Sequence, residues 1–125
     1  MPVMYSLDHD RHLIRTRCVG FTTYGEVMAH FNELRNDSSL PTPLNVYLDF
    51  TELDSLPTTS ELQAAAETAG SLELKVRWGA LAIIVNSDVV FGTGRMFEAF
   101  VEPFFERVRV FRDGAEAEAW LEEGG

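Results

Sequence analysis

The run Ala80-Leu81-Ala82-Ile83-Ile84-Val85 is apolar at every position. Successive side chains of an extended chain point to opposite faces, so a strand with this pattern must be covered on both sides. A sheet with one wet face is excluded for it. The remaining solution is a strand inside a mostly parallel sheet with helices packed on it. The longest apolar stretch, Trp78 to Val85, is too short for a bilayer helix, which needs about 20 residues. The chain has 125 residues, the length of one domain spanning 1–125. A domain of that size buries roughly two thirds of the surface its unfolded chain exposes.

The flanking patterns fill in the rest. Val3, Tyr5 and Leu7 alternate along Val3 to Asp8, His9-Asp10-Arg11 reads as a turn, and Leu13 to Val19 reads as a second strand. Together they predict an antiparallel hairpin. Thr23-Tyr24-Gly25-Glu26 has the form of a capping box, a Thr cap answered by Glu three residues on. Behind it Tyr24, Val27, Met28, Phe31 and Leu34 recur at helical spacing, which leaves His30 beside Glu26 and Glu33 on the polar surface. Asn36 to Ser39, Pro41 and Pro43 end that helix. Asn45 to Phe50 follows as a strand, with Val46, Leu48 and Phe50 on one face and Tyr47 and Asp49 on the other.

A second capping box, Thr58-Thr59-Ser60-Glu61, opens a helix whose buried stripe is narrow: Leu62, Ala65, Ala66 and Ala69. Small side chains let it approach a sheet closely, and Gly70 is placed to stop it. After the apolar strand, Asn86-Ser87-Asp88 offers caps for a helix carrying Val90, Phe97, Val101 and Phe104. Val108 and Val110 mark a last strand. Asp113-Gly114-Ala115-Glu116 is a third box, opening a helix that buries Ala117, Trp120 and Leu121. The predicted order is β-β-α-β-α-β-α-β-α, a mixed sheet of about five strands flanked by about four helices on both faces.

Charge and cysteine narrow the chemistry. There are 10 Lys plus Arg against 20 Asp plus Glu, a formal net charge of -10. Such a field repels nucleic acid and anionic membrane surfaces, so neither is expected as a partner, nor is stable membrane insertion. The single cysteine, Cys18, cannot form an internal disulfide or a multi-cysteine zinc site and reads as a small apolar strand residue. The N-terminal segment has neither a basic region nor a long apolar run, and a cytoplasmic location is the expectation. His9 and His12 flank a hairpin turn and read as solvated, with no metal site. No Ser-His-Asp order, nucleophile elbow or paired-carboxylate motif can be named, so neither an enzyme nor a cofactor is expected.

Two regions invite a functional reading. In open α/β sheets ligands bind beyond the carboxyl ends of the strands. Asp49 and Thr51 end one strand there, and Asn86, Ser87 and Asp88 end another, beside the helix start at Thr58 and Thr59. Gly92-Thr93-Gly94-Arg95 adds Gly92, Gly94 and Arg95 to this candidate ligand cleft, where amides and a guanidinium could hold an anion. The same residue types also serve as caps, and the glycines also serve a tight helix crossing. The second region is aromatic: Phe91, Phe97, Phe100, Phe104 and Phe105 crowd one helix and its exit. Phe91, Phe100, Phe104 and Phe105 form a candidate apolar interface for a homodimer, for an unknown protein partner or for a small apolar ligand.

The element order resembles the SpoIIAA-like fold of STAS domains and anti-sigma factor antagonists. Two stretches, Val46-Tyr47-Leu48-Asp49-Phe50-Thr51 and Val90-Phe91-Gly92-Thr93-Gly94-Arg95-Met96-Phe97-Glu98, are similar to a bacterial branch of small STAS/SEC14-like proteins of unassigned function. The resemblance implies a non-catalytic interaction or regulatory module. Its SEC14 side implies, as the alternative, a carrier or sensor for an apolar or amphiphilic, lipid-like ligand. Antagonist-type STAS domains carry a phosphorylated Asp-Ser-Ser-Gly sequence at the second helix. Here that position reads Pro57-Thr58-Thr59-Ser60, so the phosphorylation switch does not carry over.

Overall fold

The computed structural model describes residues 3–72 and 76–123. The strands are β1 (Val3–Asp8), β2 (Leu13–Gly20), β3 (Leu44–Leu53), β4 (Trp78–Ile84) and β5 (Arg107–Phe111). The helices are α1 (Tyr24–Asn36), α2 (Thr59–Ser71), α3 (Asp88–Val101) and α4 (Gly114–Glu123), and a short 3-10 turn over Glu102–Phe104 follows α3. This is the expected order. The strands form a single sheet in the order β1-β2-β3-β4-β5. β1 runs antiparallel to β2, and every later pair is parallel.

That strand order decides where the helices go. Each crossover from β2 onward steps to the next strand in the same direction. Three right-handed crossovers made in one direction put all three helices on one face. Accordingly α1, α2 and α3 contribute Leu34, Leu62, Ala66, Phe97 and Val101 to one core, over Ile14, Val46, Leu81 and Ile83. Among the described residues only α4 covers the other face, where Ala117 and Leu121 pack on Leu13, Ala80, Ala82, Ile84 and Phe111. β4 is buried at all seven positions, as its unbroken apolar pattern requires.

Two of the three predicted capping boxes form as read, and the third reduces to a single Asp113 bond. Thr23 and Thr58 each close a reciprocal capping box, with Glu26 and Glu61. Ser87 accepts from the Val90 N–H at the head of α3, and Asp113 accepts from the Ala115 N–H at the head of α4. The hairpin turn is tied down by its histidines: His9 Nε2 lies 3.0 Å from the Ser39 carbonyl and His12 Nδ1 3.1 Å from that of Pro43. Gly70 departs from expectation. It lies inside the last turn of α2, which runs on to Ser71. A Cβ there would stand 2.6 Å from Cε1 of Phe104, so the glycine makes room for an aromatic ring instead of stopping the helix.

Candidate functional site

Register sets one row of side chains across the three-helix face: Tyr5, Thr16, Leu48, Ile83 and Val110. The β2 members on this face are Ile14, Thr16 and Cys18, and the pairing slips between Arg17 and Val19, next to Cys18. Above them α2 presents alanines. Alanines on the roof, with Thr16 and Cys18 on the floor, leave space that larger side chains would fill. The remaining roof is α1, of which only His30 and Leu34 are buried. Val27 and Phe31 of α1 face the gap without closing it.

The result is a cavity of about 360 Å³, lined mainly by apolar side chains. Its floor is Ile14, Thr16, Cys18, Val46, Leu48, Phe50 and Leu81, and Trp78, stacked on Phe105 at 5.0 Å between ring centroids, lines it too. Its mouth lies at the carboxyl edge of β2 and β3, among Phe21, Tyr24, Leu56 and Glu61. Two loops are pinned together there. The Asp54 N–H donates to the Gly20 carbonyl at 2.9 Å, and the Thr22 N–H donates to Ser55 Oγ at 3.2 Å. Gly20 takes a left-handed φ of 64°, which a side-chain-bearing residue adopts only with strain. The adjacent Phe21 is 74% exposed and Leu56 is 51% exposed.

Few polar groups reach the interior. Glu61 lines the cavity, but its Oε1 accepts the Thr58 N–H at 2.8 Å as part of the α2 cap. Burial, and then the Asp49 carboxylate, push the Cys18 thiol up to about 12, so it stays protonated and is no nucleophile. His30 is different. It is 9% exposed, and its Nδ1 has no hydrogen-bond partner. Burial pushes its pKa down to about 4, so the ring is neutral at neutral pH. The Tyr5 ring meets it edge-on at 5.3 Å, and Phe31 lies at 5.8 Å.

His30 is therefore a correction to its surface assignment. The sequence offered the signal, because His30 is three residues from Val27 and four from Leu34, both lining the cavity. Of the predicted cleft, Asp49, Thr51 and Asn86 bond to one another, and the other polar members bond to groups outside the set. Asp49 Oδ1 accepts from both the N–H and the hydroxyl of Thr51, and Asn86 Nδ2 donates to the Thr51 carbonyl. Thr58 and Ser87 cap helices, Thr59 touches Met96, and Asp88 pairs with Arg112. Arg95 pairs with Glu98 at 2.7 Å, and Gly94 lets α3 approach the sheet, with Val110 3.3 Å from where a Cβ would sit. Gly92 has open space above it.

The four phenylalanines of the candidate interface are each partly buried against the three-helix core. Phe104 covers Gly70, Phe105 stacks on Trp78, and Arg112 lies 4.6 Å above Phe91. The most exposed aromatic side chain is Phe21, at the cavity mouth. Among the described residues no group of three or more His, Cys, Asp or Glu could hold a metal ion, and no helix is long and apolar enough to cross a membrane.

No family model matches this sequence, and no curated protein matches it. Among solved structures, one match is an uncharacterized protein of the DUF3478 family from Shewanella loihica PV-4, described as having a SpoIIAA-like fold. It shares 23% identity, with a TM-score of 0.61 over 95% of this chain and 91% of that one. The fold is SpoIIAA-like. In this SpoIIAA-like chain the cavity lies between the sheet and helices α1, α2 and α3, and it opens where the strands end.

Proposed function

We propose that this SpoIIAA-like domain is a non-catalytic binding module whose ligand is small and apolar or amphiphilic, and that it serves as a carrier or sensor. The observation that carries this reading is the cavity: about 360 Å³ with an apolar lining, in the range of small-molecule sites. Cys18 is protonated and Glu61 is committed to a cap, so neither offers a nucleophile or a free carboxylate, which favours binding over catalysis. The test is saturable binding of naphthalene, a neutral apolar probe, followed by calorimetry. Ala65→Phe, which fills the cavity from α2, is expected to abolish binding while the protein stays folded. Undiminished binding by that variant, or no binding by the natural sequence, overturns the reading. Native mass spectrometry of protein purified from its host would show the physiological ligand directly.

A second reading, self-association of an interaction module, draws on Phe21 and Leu56, which stand exposed together beside the mouth. Sedimentation at micromolar concentrations tests it: a dimer that Phe21→Ser dissolves supports it, and a monomer at all concentrations removes it.

A further inference from the structure

We propose that the ligand is a compact apolar molecule carrying an uncharged hydroxyl group, and that this hydroxyl bonds the Thr16 hydroxyl on the cavity floor. The inference rests on the binding-module reading and deepens it. The cavity holds about 360 Å³, room for about a dozen non-hydrogen atoms at the roughly 30 Å³ that a water molecule occupies in the liquid.

Thr16 stands in the middle of β2, in register with Tyr5 on one side and Leu48 on the other. It lines the cavity and is 4% exposed. Neither neighbour engages its hydroxyl, because the Tyr5 hydroxyl donates to Asp37 and Leu48 has no polar side-chain atom. The Thr16 side chain makes no hydrogen bond at all. Among the described residues His30 Nδ1 is the one buried side-chain nitrogen or oxygen that is both unpartnered and sealed from contact. Thr16 Oγ1 is unpartnered but not sealed, and the space beside it is the cavity. A bound molecule can therefore reach Thr16 Oγ1.

The chemistry follows from that oxygen and from its surroundings. A buried hydroxyl left unbonded is costly, and a ligand group that bonds it removes the cost upon binding. Thr16 offers one donor and two acceptor lone pairs, so a second hydroxyl can either accept from it or donate to it. An ionised group would need charge pairing as well as hydrogen bonds, which Thr16 does not supply. The body of the ligand meets Phe31, Phe50, Phe97, Phe105 and Trp78, which suits an apolar skeleton.

A matched pair of probes, naphthalene and 2-naphthol, decides the matter in calorimetric titrations at neutral pH. The natural protein, Thr16→Val and Thr16→Ser are compared. Valine keeps the shape of threonine and removes the oxygen, whereas serine keeps the oxygen and removes the methyl group. Thr16→Val is expected to weaken 2-naphthol about fivefold or more and to leave naphthalene within about twofold. Thr16→Ser is expected to hold 2-naphthol within about threefold of the natural protein. Equal loss of both probes in Thr16→Val overturns the proposal, and so does undiminished 2-naphthol binding by that variant. A serine variant as weak toward 2-naphthol as the valine variant also overturns it, since the methyl group and not the hydroxyl would then matter. If the natural protein binds naphthalene but not 2-naphthol, the proposal falls and the binding-module reading survives. If it binds neither, the binding-module reading itself falls, and this proposal with it.

Discussion

His30 should make the fold sensitive to acid, and His30→Leu should remove that sensitivity. The ordinary histidine value is 6.5, and burial lowers it to about 4 in the folded chain. Between those values the unfolded chain binds a proton that the folded chain does not. Stability therefore rises with pH across that window. The contribution of neutral His30 is present in full above the unfolded value and is lost as pH falls toward the folded one. At about 1.4 kcal/mol per unit the whole window is worth about 3 kcal/mol, and about 2 kcal/mol is lost by about pH 5. The carboxylates titrate nearby, so the natural protein alone cannot isolate this effect. The difference between the natural protein and His30→Leu can, because their carboxylates are shared. Urea unfolding followed by the fluorescence of Trp78 and Trp120 gives the stability of each form. At neutral pH the leucine variant should be the more stable by about 1 kcal/mol, since the unbonded Nδ1 is gone. By about pH 5 its advantage should widen by about 2 kcal/mol. Two stability curves that stay parallel between about pH 7.5 and pH 5 would refute the reasoning, for they would mean that the ring titrates as freely in the fold as out of it.

Three further outcomes follow from the packing. Thr58→Ala should cost about 1 kcal/mol in urea unfolding, because the α2 capping box loses its oxygen acceptor. Arg95→Ala should move stability by at most about 1 kcal/mol, since the Arg95 side chain is 63% exposed in its pair with Glu98. A larger loss would show that Arg95 has a buried role. Gly94→Leu should cost about 1–3 kcal/mol, because side-chain atoms there run into Val110, Val85 and Ile83. A neutral thermal melt for that variant would mean that α3 can lift off the sheet without penalty.

Much of the architecture is written in local sequence. Capping depends on residues three apart, so Thr23 with Glu26 and Thr58 with Glu61 can be read without knowing the fold. Alternation settles which strand residues share a face, and Val46, Leu48 and Phe50 do lie together under the helices. The unbroken apolar run of β4 dictated cover on both faces, and α4 provides it on one side, with the other three helices opposite. The distribution of three helices against one was not legible, because it depends on the order in which strands lie side by side. Periodicity along the chain carries no information about that order.

The cavity was hidden for the same kind of reason. Thr16 and Cys18 of β2 and Ala65 and Ala69 of α2 are unremarkable small residues far apart in sequence, and only the tertiary structure brings them to line one space. Polar motifs drew attention to the carboxyl edge, where Asp49, Asn86 and Ser87 satisfy caps and turns. His30 shows the limit most clearly. One helix face offers it Glu26 and Glu33, and the other offers Val27 and Leu34, so helical spacing admits both surroundings. Sequence determined that His30 lies on a helix. The tertiary structure alone decided which side of that helix meets the sheet, and hence that an imidazole nitrogen is buried without a partner.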